Sequence, residues 1–186
     1  MGIKIGSFTA NNFITFAQGL LSVLQNQNLN NYNFRLYCID IKDVKINNNG
    51  RKNLQTQFNP VKDEKGVYIF FDKRNLQTLY VGAAGFTNDH SSTFYTTPVK
   101  AAGGQNKTGS GRVPQHLSGN KITSPIIKYF YATNSNATQK NYIKYINNYS
   151  ILFICMSTIN NNNNNFASDL AALESALIKY LQPLAQ

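Results

Sequence analysis

The sequence predicts an α+β fold, in which a small mixed or antiparallel sheet of about three strands is flanked by helices. Apolar residues recur at helical spacing near both ends of the chain, over Asn11–Gln25 and Phe166–Leu181. Between them, Gly66–Gly82 and Ser150–Met156 are short runs rich in aromatic and β-branched residues, as is typical of strands. With 186 residues and a 42% apolar share, the chain is long enough to bury a core.

The first 65 residues read as an N-terminal extension, and residues 66–186 as the main body. Asn11 supplies a helix cap, and Phe34–Ile41 alternates as a strand does. Lys42–Lys65 is a polar, basic connector. The extension is therefore predicted to consist of one helix and one strand.

The main body begins with GVYIFFDKRNLQTLYVG, which reads as a β-hairpin. Polar residues at Asp72–Asn75 interrupt the apolar run and predict the turn. With the turn there, Tyr68 and Tyr80 fall on neighbouring positions of adjacent strands. Their phenol groups either serve one site or are amphipathic core residues.

A long insertion follows the hairpin at residues 83–111 and ends in GGQNKTGSG. The GxxxxGK[ST] spacing of a P-loop is missing from it. A short helix over Arg112–Ser118 tolerates Pro114 in its first turn. Tyr129–Tyr149 alternates between aromatic and basic residues and permits no assignment. The six asparagines at Asn160–Asn165 predict a loop tip before the last helix.

The charge distribution predicts a polyanionic partner. Eighteen basic and eight acidic residues give a net charge of +10, and nucleic acid is the commonest partner of so basic a protein. No acidic side chain lies between Asp89 and Asp169. That span contains the basic residues Lys100, Lys107, Arg112, Lys121, Lys128, Lys140 and Lys144. A structural protein that assembles through a basic surface is a second reading of the charge.

Three polar side chains are candidates for chemistry. At about 100° per residue, Glu174 falls inside the apolar arc of the last helix, a position that carboxylates rarely occupy without a partner. It either binds a metal ion or forms a buried salt bridge to a core arginine. Arg112 and His116 are spaced i and i+4, on one helix face, and a guanidinium is suited to a bidentate phosphate contact.

Taken together, these elements resemble the GIY-YIG nuclease family. The resemblance covers about two thirds of the chain, from Gly66 to Gln186, and its elements are Gly66-Val67-Tyr68, Tyr80-Val81-Gly82, Arg112-x3-His116 and Glu174. The chain departs from the family pattern in having GVY and YVG for GIY and YIG. The family often has Asn where this chain ends in Gln186, and the gap between Gly82 and Arg112 is longer than in the minimal module.

The resemblance implies a role for each matched residue. Tyr68 would act as general base or orient the attacking water, and Arg112 would hold the scissile phosphate. Glu174 would bind one Mg²⁺ or Mn²⁺ ion. Tyr80 and His116 would complete the site, and Gln186 would have a minor role there.

The extension and the insertion are similar to the compact specificity elements of type II restriction endonucleases in this family. We therefore expect site-specific cleavage of double-stranded DNA by a homodimer, with a cognate DNA methyltransferase as a further partner. The expected DNA contacts are Lys73, Arg74, Lys100, Gln105, Asn106, Lys107 and Lys121. In the insertion, Asn and Gln suit adenine and Lys suits guanine, although the loop could also contact only backbone phosphates. The alternatives are a low-specificity nuclease effector or toxin, and an inactive nucleic-acid-binding module.

The cysteines and the hydropathy bear on location. Cys38 and Cys155 lie in apolar runs and are predicted to be buried free thiols. Without CxxC spacing, and with only two histidines, a Cys/His metal site is not expected. No apolar run reaches the ~20 residues of a membrane-spanning helix. We expect a cytoplasmic protein that does not interact with membranes.

Overall fold

The computed structural model describes residues 10–27, 29–41, 57–86, 93–95, 112–117, 124–159 and 165–186. The helices are α1 (Ala10–Asn26), α2 (Arg112–Leu117), α3 (Pro125–Thr133), α4 (Gln139–Ile146) and α5 (Phe166–Leu181). The strands are β1 (Tyr32–Asp40), β2 (Gly66–Asp72), β3 (Thr78–Ala84) and β4 (Tyr149–Thr158). The predicted α+β class is confirmed.

Within the described ranges, the sheet has four strands in the order β1-β4-β2-β3, and all neighbours are antiparallel. The predicted count of about three was too low, because β1 of the N-terminal extension pairs with β4 along its whole length. β4 is buried along most of its length, so the backbone polar groups on both of its edges need partners. β2 supplies those partners on one edge and β1 on the other.

The hairpin formed by β2 and β3 has its turn where the sequence predicts it. Tyr68 pairs with Gly82 and Phe70 with Tyr80, and a register shift follows between Phe70 and Phe71. Since Tyr68 and Phe70 are two residues apart, their side chains share a face of the strand. The two tyrosines are therefore diagonal neighbours, with ring centroids 6.1 Å apart.

The sheet separates two hydrophobic clusters of different composition. On one side, which we call the aliphatic face, Val67 and Ile69 of β2 pack with leucines of α1 and α5. On the other side, the aromatic face, Tyr68 and Phe70 pack among residues of α2, α3 and α4. This division follows from the period of two along a strand, which sends alternate β2 side chains to opposite faces.

The unassigned segment Tyr129–Tyr149 includes the end of α3, which begins at Pro125, and all of α4. Both helices begin at hydroxyl caps. Ser124 accepts the Ile127 N–H at the start of α3, and Thr138 accepts the Asn141 N–H at the start of α4. Such caps satisfy backbone donors that have no partner within the helix. These helices cover the aromatic face.

Both cysteines are free thiols; Cys155 is buried, as predicted, whereas Cys38 is only partly buried. Within the described ranges, every helix is too short or too polar to cross a membrane.

Candidate active site

Five predicted site residues from four elements converge at the edge of the sheet formed by β3. Tyr68 of β2 and Tyr80 of β3 meet His116 of α2, with the Tyr80 and His116 ring centroids 4.8 Å apart. The hydroxyl of Tyr68 lies 2.9 Å from Nε2 of His116. Arg112 of α2 and Glu174 of α5 are close enough to influence the pKa of both tyrosines.

Gly82 makes room for the tyrosine pair. A Cβ atom at this position would lie 2.6 Å from the Tyr68 hydroxyl oxygen and 2.7 Å from Cε1 of Tyr80. Tyr68 pairs directly with Gly82 across the hairpin, so its ring lies over the glycine backbone. A larger residue at the last position of YVG would therefore clash with the two phenols, which occupy the space that its side chain would need.

His116 is held in the interior of the site. It is only 4% exposed, and its Nδ1 lies 2.7 Å from the hydroxyl oxygen of Ser124. The Tyr142 hydroxyl donates to the backbone carbonyl of His116. Burial, with a smaller contribution from the Arg112 charge, lowers the pKa of His116 to about 3. The imidazole is therefore neutral at physiological pH.

The backbone at the start of α2 places Arg112 at the protein surface. The N–H groups of Arg112 and Val113 donate to the carbonyls of Thr93 and Phe94, at 3.1 and 3.2 Å. These bonds satisfy two donors at the beginning of the helix and fix its direction. Because the Arg112 side chain is exposed, its guanidinium is available to an anion in solvent.

The two tyrosines differ in their access to solvent. Tyr68 is 2% exposed and Tyr80 is half-buried. Burial is the main cause that raises the pKa of each phenol, and the Glu174 charge raises both further while Arg112 lowers both. The site thus has an inner part, Tyr68 and His116, and an outer part, Tyr80, Arg112 and Glu174. The resemblance implies that Tyr68 acts as general base or orients the attacking water, and Tyr80 is the more exposed of the two phenols.

Glu174 reaches the site from α5 on the opposite face of the sheet. Its carboxylate accepts a hydrogen bond from the backbone N–H of Ala83, on the outer edge of β3. Burial raises the pKa of Glu174, whereas the Ala83 N–H and the Arg112 charge lower it. The nearby arginine is exposed, so the alternative of a salt bridge to a core arginine does not describe this site.

One carboxylate fits the requirements of a Mg²⁺ ion. Among the described residues, no group of three or more histidine, cysteine or carboxylate side chains is placed to hold a metal. Mg²⁺ is commonly bound by one or two carboxylates together with substrate phosphates and water. Glu174 is half-buried and oriented by a backbone donor, so it could hold such an ion together with a phosphate substrate.

Gln186 lies along the outer edge of β3. Its side-chain oxygen is 3.4 Å from the Val81 nitrogen. The preceding backbone N–H groups of Leu184 and Ala185 donate to the carbonyls of Thr78 and Leu79. The end of the chain therefore covers the part of the edge next to Tyr80, which places Gln186 beside the site.

The expected DNA contacts are only partly within the described residues. Arg74 binds Asp72 through its Nε atom at 2.9 Å, and Nζ of Lys73 lies 3.7 Å from Asp40. Both basic residues of the hairpin turn thus have a carboxylate partner already. The remaining expected contacts, which lie outside the described residues, are Lys100, Gln105, Asn106, Lys107 and Lys121.

Sequence reasoning missed two residues that hold His116 in place from the interior of the protein. Ser124 and Tyr142 both contact His116, although neither stands near a recognised motif. A serine before Pro125 does predict a helix start. Nothing in the sequence places that helix start against His116.

Comparisons with protein-family models, with curated proteins and with solved structures found no match to this chain. The resemblance to the GIY-YIG nucleases therefore depends on the sequence elements named above.

Proposed function

We propose that the protein is a Mg²⁺-dependent endonuclease that hydrolyses phosphodiester bonds of double-stranded DNA. The observation that carries this proposal is the convergence of four separate sequence elements at one sheet edge. Tyr68, Tyr80 and His116 are in mutual contact, and the charged groups of Arg112 and Glu174 lie beside them. A site that joins an exposed guanidinium, a half-buried carboxylate and a phenol suits phosphoryl chemistry.

In this proposal Arg112 binds the scissile phosphate, since its guanidinium is exposed and suits a bidentate contact. The water oxygen attacks phosphorus as the bond to the 3′ oxygen breaks. Tyr80, in its phenolate form, takes the proton of the water, and the leaving oxygen is protonated from solvent. Burial and the Glu174 charge raise the pKa of Tyr80, and the Arg112 charge opposes them. Further positive charge at the site, as from a bound cation, would favour the phenolate.

Glu174 would hold the divalent cation. When bound, the ion supplies positive charge that stabilises the leaving 3′ oxygen and favours ionisation of nearby phenols. The Ala83 N–H keeps the carboxylate oriented towards the β3 edge.

The finer proposal is a cytoplasmic type II restriction endonuclease that cleaves as a homodimer and acts beside a cognate methyltransferase. The basis is the sequence outside the site: in the insertion, glycines flank Gln105, Asn106 and Lys107. Symmetric cleavage of both strands of a palindrome requires two copies of one active site related by a twofold axis. A nuclease of low specificity, acting as an effector or toxin, is the alternative if the insertion contacts phosphates only.

Long duplex DNA incubated with the purified protein and Mg²⁺, beside the Glu174→Ala variant, tests the proposal on a gel. Discrete bands that are absent with the variant indicate a site-specific endonuclease. A smear indicates low specificity. Intact DNA in both lanes, together with tight DNA binding, would leave a binding module and reject the enzymatic proposal.

A further inference from the structure

Ser124 has a buried hydroxyl group that contacts the site, although the residue belongs to none of the sequence motifs named above. Its side chain is fully buried, and Oγ lies 2.7 Å from Nδ1 of His116. The same oxygen accepts the Ile127 N–H, at 3.4 Å, as the N-cap of α3. One hydroxyl group therefore connects the start of α3 to the imidazole on α2.

The direction of the bond between Ser124 and His116 follows from the number of donors and acceptors. A serine hydroxyl has one hydrogen to donate and two lone pairs that accept. The Ile127 N–H occupies one lone pair. A buried hydroxyl hydrogen without an acceptor is unfavourable, and within the described part of the chain Nδ1 of His116 is the acceptor in contact. Ser124 therefore donates to Nδ1.

This direction determines the tautomer of His116. A neutral imidazole has one nitrogen that donates and one that accepts. Because Nδ1 accepts from Ser124, the hydrogen resides on Nε2, which lies 2.9 Å from the Tyr68 oxygen. Burial and the Arg112 charge keep the pKa of His116 at about 3, so the neutral form persists at working pH.

The tautomer in turn directs the hydrogen of Tyr68. Since the Tyr68 oxygen accepts from His116, its own O–H is free to donate elsewhere. The neighbouring hydroxyl of Tyr80, whose ring centroid lies 6.1 Å from that of Tyr68, is its hydrogen-bond partner. Tyr68 therefore donates to the Tyr80 oxygen. The hydrogen bonds thus run in one direction, from Ser124 through His116 and Tyr68 to the half-exposed phenol of Tyr80.

We propose that Ser124 is a positioning residue that fixes His116 as the Nε2–H tautomer and so directs the Tyr68 hydroxyl onto the oxygen of Tyr80. The catalytic consequence rests on the proposed nuclease function. In that reaction the Tyr80 oxygen, which receives the bond from Tyr68 and belongs to the more exposed of the two phenols, accepts the proton of the attacking water.

Nitrogen NMR of the free protein tests the tautomer without DNA or metal. The chain has two histidines, His90 and His116, so ¹⁵N-histidine labelling gives two sets of ring signals, and His116→Gln assigns them. We expect the Nε2 signal of His116 in the range of a proton-bearing nitrogen and Nδ1 in that of an unprotonated one. Ser124→Thr should keep this pattern, and Ser124→Ala should shift both signals. A proton on Nδ1 of the unmodified protein would overturn the proposal, whatever the fate of the variants.

Kinetics test the catalytic consequence separately. We expect Ser124→Ala to lower kcat by roughly 10- to 100-fold, as loss of a supporting hydrogen bond commonly does, with little change in KM. Ser124→Thr should restore kcat, and Tyr80→Phe should lose more activity than Tyr68→Phe. Unchanged kcat in a folded Ser124→Ala protein, or the reverse order of the phenylalanine variants, contradicts the positioning role. If the unmodified protein cuts no DNA, the nuclease proposal fails while the NMR result still decides the tautomer.

Discussion

The two faces of the sheet differ in the kind of contact that holds their side chains in place. On the aliphatic face, leucines of α1 and α5 pack against Val67 and Ile69, and the contacts depend on volume and shape. On the aromatic face, hydroxyl and imidazole groups are buried among rings, and each needs a hydrogen-bond partner. The same strand β2 serves both, because its side chains alternate.

Because the two faces differ in this way, we expect substitutions on the aliphatic face to change mainly stability and those on the aromatic face to change mainly the proposed chemistry. A leucine on the aliphatic face can be exchanged for an apolar residue of similar volume at little cost. On the aromatic face a change at Tyr68 or Ser124 removes a hydrogen-bond partner of His116. The hydrogen bonds of the groups next to His116 then change as well. Glu174 is the exception to the division, since it belongs to the helix that covers the aliphatic face and yet reaches the site.

Adjacent positions in α5 provide the sharpest test of this division. Glu174→Ala should remove several kcal/mol of transition-state stabilisation, on the order of 1,000-fold in cleavage rate, while DNA binding and the melting temperature change little. Leu173→Ala, at a fully buried position, should cost about 2–5 kcal/mol of unfolding free energy. Single-turnover cleavage and urea unfolding measure the two effects. Normal turnover of Glu174→Ala in Mg²⁺ would reject the metal assignment, and lost activity in folded Leu173→Ala would erase the division.

Two glycines extend the test to the backbone. In Gly82→Ala, the added Cβ meets Tyr68, which is packed on every side, so the phenols must move. A displacement of about 1 Å at a reacting group can cost on the order of 100-fold in rate, and we expect a loss of that size in kcat.

Gly19→Ala is the matched control on the aliphatic side. The added Cβ would lie 1.9 Å from the Tyr180 hydroxyl, but that ring is 51% exposed and can rotate away. Replacing glycine inside helix α1 also gains about 1 kcal/mol of helix propensity, so the unfolding free energy should stay within about 1 kcal/mol of the original. Equal losses of activity in both variants would show that the site tolerates Gly82→Ala no worse than a remote change.

Acid should destabilise the protein through the aromatic face. The pKa of His116 is about 3 in the folded protein and near its ordinary value of 6.5 when unfolded, so the unfolded state binds more protons as pH falls below 6.5. This group's contribution is complete above pH 6.5 and is lost progressively towards pH 3. Between pH 7 and 5 the loss amounts to about 2 kcal/mol.

Urea unfolding at both pH values, without metal, measures this loss. In His116→Gln the same pH change should cost about 2 kcal/mol less than in the original protein, because the titrating group is gone. Leu173→Ala should be less stable at both pH values yet keep the original pH dependence. An unchanged dependence in His116→Gln would show that the buried imidazole is not the acid-sensitive group.

The sequence predicted what local periodicity can encode. The hydrophobic stripe of Phe166–Leu181 gave the bounds of α5, and the polar turn gave the hairpin. The pairing of β1 with β4 joins residues more than a hundred positions apart, and no local pattern determines it. Helices α3 and α4, which overlap or lie within Tyr129–Tyr149, were missed because aromatic and lysine residues alternate there without a clear stripe, and their caps are single hydroxyl groups.

The site was predictable only in part, for a similar reason. The residue types at Tyr68, Tyr80 and Glu174 indicated chemistry, and the structure brings them together. The roles within the tyrosine pair depend on burial, which separates Tyr68 from Tyr80 and which the sequence does not show. The contact between Ser124 and His116 depends on how α3 starts against α2, a consequence of tertiary packing alone.

The smallest expected effect concerns exposed lysine charges on two helices, one covering each face of the sheet. Lys144 and Lys179 both lie in the last turn of a helix and are both exposed. Lys144 belongs to the span without carboxylates, and its helix is connected to the site through the bond from Tyr142 to His116. Lys179 lies on α5, which covers the aliphatic face. If DNA binds along the aromatic face, then of these two lysines only Lys144 contacts phosphate.

We expect DNA affinity to fall steeply between low and physiological salt, because each phosphate contact releases counterions. Lys144→Ala should reduce the slope of log affinity against log salt by about one, whereas Lys179→Ala should leave it unchanged. Fluorescence anisotropy with Glu174→Ala as the background, which prevents cleavage, measures both. A flat salt dependence would mean that the acid-free span does not face DNA, and equal slopes in the two lysine variants would move the DNA away from α4. Because the proposed phosphate ligand Arg112 also begins α2 on this side of the sheet, a reduced slope for Lys144→Ala alone would place binding and chemistry on the same face.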